Sequence, residues 1–209
     1  AGSLEKSFSV TDFYVTQDGG VLTGGGKQMT LDGGAWTLND GGEISENQDF
    51  TLANSHSFTM NGGVLSKKSF SVQDSSFSMS GGDFDLTNTF SINTGATVSI
   101  SDGTVDVGDT SFDGGTVEIS GSAVVNVANT FGRKGNITLS GGTTTVNVLT
   151  TFGGFAMTIG GSTAGSFTAD SLGGGFEVSN RDFNWVTGSQ MSMTVVGSST
   201  WAQTEYDAG

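Results

Sequence analysis

The chain has no cysteine, no proline and a single histidine, and only seven Lys and Arg stand against 21 Asp and Glu. Each shortage removes a class of protein. Without cysteine there is no disulfide framework, no thiolate metal site and no cysteine nucleophile. One histidine rules out a His-rich metal centre, and no Ser-His-Asp arrangement is evident. A formal net charge of −14 is repelled by phosphate backbones and anionic lipid, so no nucleic-acid partner and no membrane-surface binding are expected. No apolar run approaches about eighteen residues, so no membrane insertion is expected either. There is no P-loop, no EF-hand loop and no GxGxxG following a strand. The chain opens at Ala1 without a basic and then apolar leader, which reads as a mature or excised fragment whose export signal, if any, is already gone.

What is abundant is glycine, 35 residues, together with Ser, Thr, Val and Phe. Without a G-X-Y period this is not collagen, and the ordered apolar spacing argues against a disordered glycine-rich tract. Three apolar series run through the chain. The first consists of pairs at i and i+2: Phe13/Val15, Trp36/Leu38, Phe58/Met60, Phe77/Met79, Val98/Ile100, Val117/Ile119, Ile137/Leu139, Met157/Ile159 and Phe176/Val178. The second is Ile44, Val64, Phe84, Val105, Val125, Val146, Phe167. The third is Phe8, Met29, Phe50, Phe70, Phe90, Phe112, Phe131, Phe152, Leu172. All three repeat at 19–23 residues.

Alternation of period two marks strands with one buried face. Short strands broken by Gly, Asn, Asp and Ser turns cannot form a core alone, but stacked copies can. The expected fold is therefore all-β: a parallel β-solenoid of three sides and about nine rungs, each of 19–23 residues. Rungs of this length, without hexapeptide periods, favour the right-handed form. At about 4.8 Å per rung the rod is roughly 40–45 Å long. The third series is expected to form an aromatic ladder from Phe50 to Phe152. Absence of proline fits strands paired on both edges. An antiparallel sandwich of hairpins is the alternative, but hairpins do not demand matched residues every twenty positions.

Residues 1–180 read as the solenoid domain. Residues 181–209, with Trp185, Trp201 and Tyr206, leave the rung pattern and read as a C-terminal cap or a donated assembly strand. At the other end Ser7–Val10 already reads as a side-three strand with nothing before it to cover its edge. End-to-end self-association through that rung is the expected partner interaction.

Outward columns are where function is sought. Side one offers Thr37, Thr59, Ser78, Ser99, Glu118, Thr138 and Thr158. Side two offers Ser45, Leu65, Asp85, Asp106, Asn126, Asn147 and Thr168. Side three offers Ser9, Thr30, Thr51, Ser71 and Ser91. Asp85 and Asp106, with Asp83 and Asp109 nearby, form the most site-like group, a Ca²⁺ candidate through oxygen ligands. A solvated Asx ladder on an acidic protein has the same appearance, and no cofactor is otherwise expected. Ser80-Gly81-Gly82-Asp83-Phe84-Asp85 is similar to one Gly/Asp calcium repeat but lacks the nonapeptide period. His56, Lys67-Lys68 and Arg133-Lys134 read as turn residues, and Asn136-Ile137-Thr138 matches the N-glycosylation sequon. Short loops and few Arg, Lys or His argue against an enzyme.

Segments such as Asn136–Val148 (NITLSGGTTTVNV) and Ala96–Gly108 (ATVSISDGTVDVG) resemble the Gly/Ser/Thr-rich β-solenoid regions of exported bacterial surface proteins, namely autotransporter passenger domains and the repeat regions of PEP-CTERM-type proteins. The resemblance covers most of residues 7–180. It implies an extracellular or cell-surface location and a passive role in adhesion or assembly, such as a fibre or surface-layer subunit. An ice-binding or glycan-binding module is the alternative. The side-one array of Ser, Thr and Asn has the short polar side chains of an ice face, but Glu118 interrupts it.

Overall fold

A strand with an apolar residue at every second position leaves one face needing cover. This chain supplies the cover by coiling on itself. The computed structural model describes residues 2–3, 8–23, 26, 28–45, 48–159, 166–172, 182–185 and 190–193. Every strand pair among them is parallel, and no helix is present among them. Strands Ser57–Met60, Val64–Lys67 and Ser69–Val72 all pair with successive stretches of Ser76–Asn93. One turn of the chain is thus three strands laid in register on the next turn, which makes a three-sided β-solenoid.

The side-one rows run as their period dictates. Trp36, Phe58, Phe77 and Val98 are successive partners, as are Leu38, Met60, Met79 and Ile100. Thr116 N–H to Ala96 C=O (3.0 Å) and Ser120 N–H to Ile100 C=O (2.8 Å) carry the stack onward. Val117/Ile119, Ile137/Leu139 and Met157/Ile159 follow in register. Nearly all the described inward side chains of these rows are buried and belong to one continuous core.

Corners stay within the ladder, so several strands run through them; Thr97–Ile119 is 23 residues long. Glycine makes this close approach feasible. Gly103 has φ +89°, and a Cβ there would lie 2.5 Å from the Gly82 carbonyl oxygen one turn below.

The register departs from the expected columns in several turns. Val15 and Gln17, not Phe13 and Val15, partner Trp36 and Leu38, because this turn closes at 21 residues rather than 23. Leu65, not Val64, follows Ile44 and precedes Phe84. Leu65 is therefore buried and Ser66 takes its place in the outward column. Thr144, not Val146, partners Val125, while Val146 partners Val127 and Thr145, not Asn147, partners Asn126. Thr110, not Phe112, partners Phe90. The aromatic ladder therefore breaks there, and Phe131 partners Leu149 rather than Phe152. Finally, Phe183 and Trp185 are the partners of Met157 and Ile159. Phe176 and Val178 lie outside the described residues, as do Trp201 and Tyr206. Asp182–Trp185 and Gln190–Met193, from the stretch expected to leave the rung pattern, pair in parallel with the strands of the preceding turns.

Candidate functional site

Four outward surfaces follow from this register. On face one the central column is Thr16, Thr37, Thr59, Ser78, Ser99, Glu118, Thr138 and Thr158, in the order expected and with Thr16 added. At its margin side-chain amides and hydroxyls bridge turns. Asn39 Nδ2 donates to Asp18 Oδ1 (2.6 Å), Asn61 Nδ2 to Asn39 Oδ1 (2.9 Å), and Ser80 Oγ to Asn61 Oδ1 (3.2 Å). These groups are already partnered along the rod axis, so they brace the stack as much as they present a surface.

Face two carries the acidic group. Asp85 and Asp106 are partners on adjacent turns, and Asp83 lies two residues from Asp85 on the same exposed face. Asn126 Nδ2 donates to Asp106 Oδ1 at 2.7 Å. Asp109 lies beyond the corner, where Thr130 N–H (3.0 Å) and Asn129 Nδ2 (3.4 Å) occupy its two oxygens. The structure thus brings together Asp83, Asp85 and Asp106 and separates Asp109 from them. Among the described residues no three His, Cys, Asp or Glu side chains are grouped so as to hold a metal ion.

Face three is concave. The column Ser9, Thr30, Thr51, Ser71 and Ser91 is as expected and continues to Ser111. A shallow groove of about 670 Å³ follows it, bordered by Asp49 and Asp109. Asp49, Ser69 and Thr89 stand just before Phe50, Phe70 and Phe90, which is the signal of this groove in the sequence.

The fourth surface is the end of the rod below Trp36. A cleft of about 470 Å³ there is lined by Phe13, Val15, Gln17, Val21, Leu22 and Trp36. Trp36 Nε1 and Gln17 Oε1 are buried atoms without a hydrogen-bond partner. Neither polar atom is legible in the sequence, because Gln17 stands at an inward position that no hydrophobic pattern marks.

Two expected turn residues lie inside instead. His56 is fully buried, and its Nδ1–H donates to the Gly33 carbonyl. Burial holds the His56 pKa below the usual histidine value, and the bond to Gly33 opposes this only in part. Lys67 occupies an inward position in register with Leu86, is 4 % exposed, and sets its Nζ 5.7 Å from the centre of the Phe50 ring. Its stem adds to the core while the charge faces a ring; Lys68 is exposed as expected. Arg133 and Lys134 lie within the strand Val124–Leu139 rather than in a turn. Comparison with protein-family models, with curated proteins and with solved structures finds no match to this chain.

Proposed function

We propose that the chain is a non-catalytic structural or adhesive β-solenoid that works outside the cell, as a stalk, spacer or fibre subunit. The observation that carries this reading is the register itself. The same rows, inward and outward, are repeated turn after turn, and the side chains best placed to bind something are largely bonded to their own neighbours along the axis, as in the Asp18–Asn39–Asn61–Ser80 ladder. Such a molecule has rigidity and length as its main products. The strong negative charge keeps it dispersed. An extracellular site agrees with the resemblance to exported surface proteins and with a chain that does not depend on thiols.

Surface labelling of intact cells, followed by electron microscopy of the labelled material, tests the reading. The expected result is label at the cell surface on rods or filaments. Recovery of the chain only from the cytosolic fraction overturns it.

A second reading is favoured by one feature. Thr16, Thr37, Thr59, Ser78 and Ser99 form an in-register hydroxyl column on face one, which is the kind of array that orders water at an ice surface. Thermal hysteresis that is lost in Thr59→Leu would move the assignment to ice binding.

A further inference from the structure

We propose that the side-one edge at Phe13, Val15 and Gln17 is a docking surface for the opposite end of a second copy of this chain. On side one the stack then continues between copies in the register that joins one turn to the next within a copy, while on side two Gly2–Ser3 already covers Leu22 and Thr23. This rests on the structural reading above and adds the partner, the surface and the alignment.

The edge comes first. Strand Phe8–Gln17 pairs with Met29–Leu38 along one side, and among the described residues no strand pairs with its other side. The Gln17 carbonyl accepts the Asn39 N–H at 2.9 Å. Backbone groups alternate along a strand, so the N–H and C=O of Thr16 and Tyr14 face the open edge. An edge of this kind is a template for another parallel strand.

The side chains need the same partner. Trp36 and Ile44 are 4 % and 0 % exposed, because a turn of chain lies on each side of them. Val15, the partner of Trp36 one turn down, is only half-buried, as is Phe13, whereas Leu22, the partner of Ile44, already carries Gly2 on its far side. Val15 and Phe13 border the cleft of about 470 Å³ in which Gln17 Oε1 and the indole N–H of Trp36 go without partners. Tyr14, on the same edge, is 75 % exposed. The end is therefore an apolar floor with two unmet hydrogen-bonding groups.

The opposite end supplies a match. Asp182–Trp185 is laid on Ala156–Ile159, and among the described residues nothing pairs with its far side. Phe183 stands in the row of Met157, and Trp185 in that of Ile159. Those are the rows to which Val15 and Gln17 belong. Head-to-tail stacking therefore sets Phe183 in register with Val15, Asn184 with Thr16, and Trp185 with Gln17. Phe183 and Trp185 thus fall at the register positions that follow Val15 and Gln17. A contact between two different ends does not close on itself, so it builds open filaments. Copies of charge −14 repel one another, so association strengthens as salt screens that repulsion.

Light scattering and sedimentation of the purified full chain, across protein concentration and from low to high ionic strength, give the first test. Elongating species that grow with both variables are expected. Thr16→Pro removes an outward N–H without touching the bonds to Met29–Leu38, and Val15→Lys places a charge on the floor. Either variant, with unchanged far-UV circular dichroism, is expected to abolish elongation. The register is tested by Thr16→Cys with Asn184→Cys, in a chain with no cysteine of its own. Paired strands lie about 4.8 Å apart, within disulfide reach. Oxidation is expected to yield a ladder of dimers, trimers and longer species, while Ser99→Cys with Asn184→Cys yields none. A wild-type chain that stays monomeric at high concentration and salt, or a ladder equally strong in the Ser99 control, overturns the proposal. A monomeric chain that still labels the cell surface overturns this inference alone and leaves the structural reading standing.

Discussion

Thr110, not Phe112, is the partner of Phe90, and Phe112 partners Ile92 instead. The ring of Phe112 packs edge-on against Phe131, 5.3 Å between centroids. A hydroxyl therefore stands in an aromatic row, 5 % exposed, and its Oγ1 accepts the Gly132 N–H at 3.1 Å. Thr110→Val keeps the shape and removes the acceptor, leaving a buried N–H unmet. A loss of about 1–3 kcal/mol in chemical denaturation is expected. Thr110→Ser keeps the acceptor and loses one methyl, about 0.8 kcal/mol. Equal losses for the two would show that the hydroxyl contributes nothing.

Phe70 sits at the centre of the aromatic cluster. Its ring lies 5.1–6.3 Å from those of Phe50, Phe58, Phe77, Phe84 and Phe90. Phe70→Ala should destabilise by about 3–5 kcal/mol, since neighbours locked on both sides cannot close the cavity. Ser99→Ala, on the outward column, should change stability by less than about 0.5 kcal/mol. Comparable effects would mean that the inward and outward assignments are exchanged.

Glycine at a corner is tested by a contrast. Gly20 and Gly103 both have positive φ, but a Cβ on Gly20 meets open space while one on Gly103 meets the Gly82 carbonyl. Gly20→Ala carries only backbone strain, about 1–2 kcal/mol. Gly103→Ala carries that strain and a backbone clash, so it should lower the denaturation midpoint much further. The opposite order would exclude stacked corners.

Burial of His56 sets a pH dependence. Its pKa is lowered in the folded state, so the unfolded chain binds the proton first as pH falls. Stability is full above the ordinary histidine value of about 6.5 and declines as pH drops through and below it. Thermal midpoints between pH 7.5 and 5 should fall more steeply in the wild type than in His56→Gln, whose carboxylates still titrate. Parallel curves would show that His56 is not buried in the neutral form.

Much of this fold is legible in the sequence, and the places where it is not have physical causes. Side one is readable from Trp36 to Ile159 because single apolar residues alternate with single polar ones. Val64 and Leu65 are adjacent, so either parity satisfies a hydrophobic face. Lys67 inside, in register with Leu86, argues against the correct choice. At Phe112 the 22-residue step in a series of 20 was the visible sign of the break. The candidate site was legible in part. Asp85 beside Asp106 follows from the period, whereas Asp109 is carried round a corner whose length the sequence does not specify. His56 lies inside rather than in an exposed turn, and its ring partner is the Gly33 carbonyl a turn below, a long-range relation with no local signal.

The last prediction concerns catalysis at those carboxylates. Retaining glycosidases need two carboxyl groups about 5–5.5 Å apart, and inverting ones about 6.5–9.5 Å. Asp85 and Asp106 are partners on adjacent strands, hence about 4.8 Å apart at the backbone, so spacing alone admits the retaining chemistry. Asp49 and Asp109 border a groove but lie three turns apart, about 14 Å, which admits neither. Spacing is not sufficient. A general acid needs a raised pKa, which requires shelter from water. Asp85 and Asp106 stand exposed to water, and one Asp106 oxygen is taken by the Asn126 amide. No release of reducing ends from acidic or neutral polysaccharides is expected. Asp85→Asn, which removes one of two like charges, should raise the thermal midpoint slightly at low salt, and the gain should shrink at high salt. Turnover that vanishes in Asp85→Asn and in Asp106→Asn would instead make this pair an active site. A Ca²⁺-dependent rise in the midpoint that vanishes in the same variants would make it a cation site.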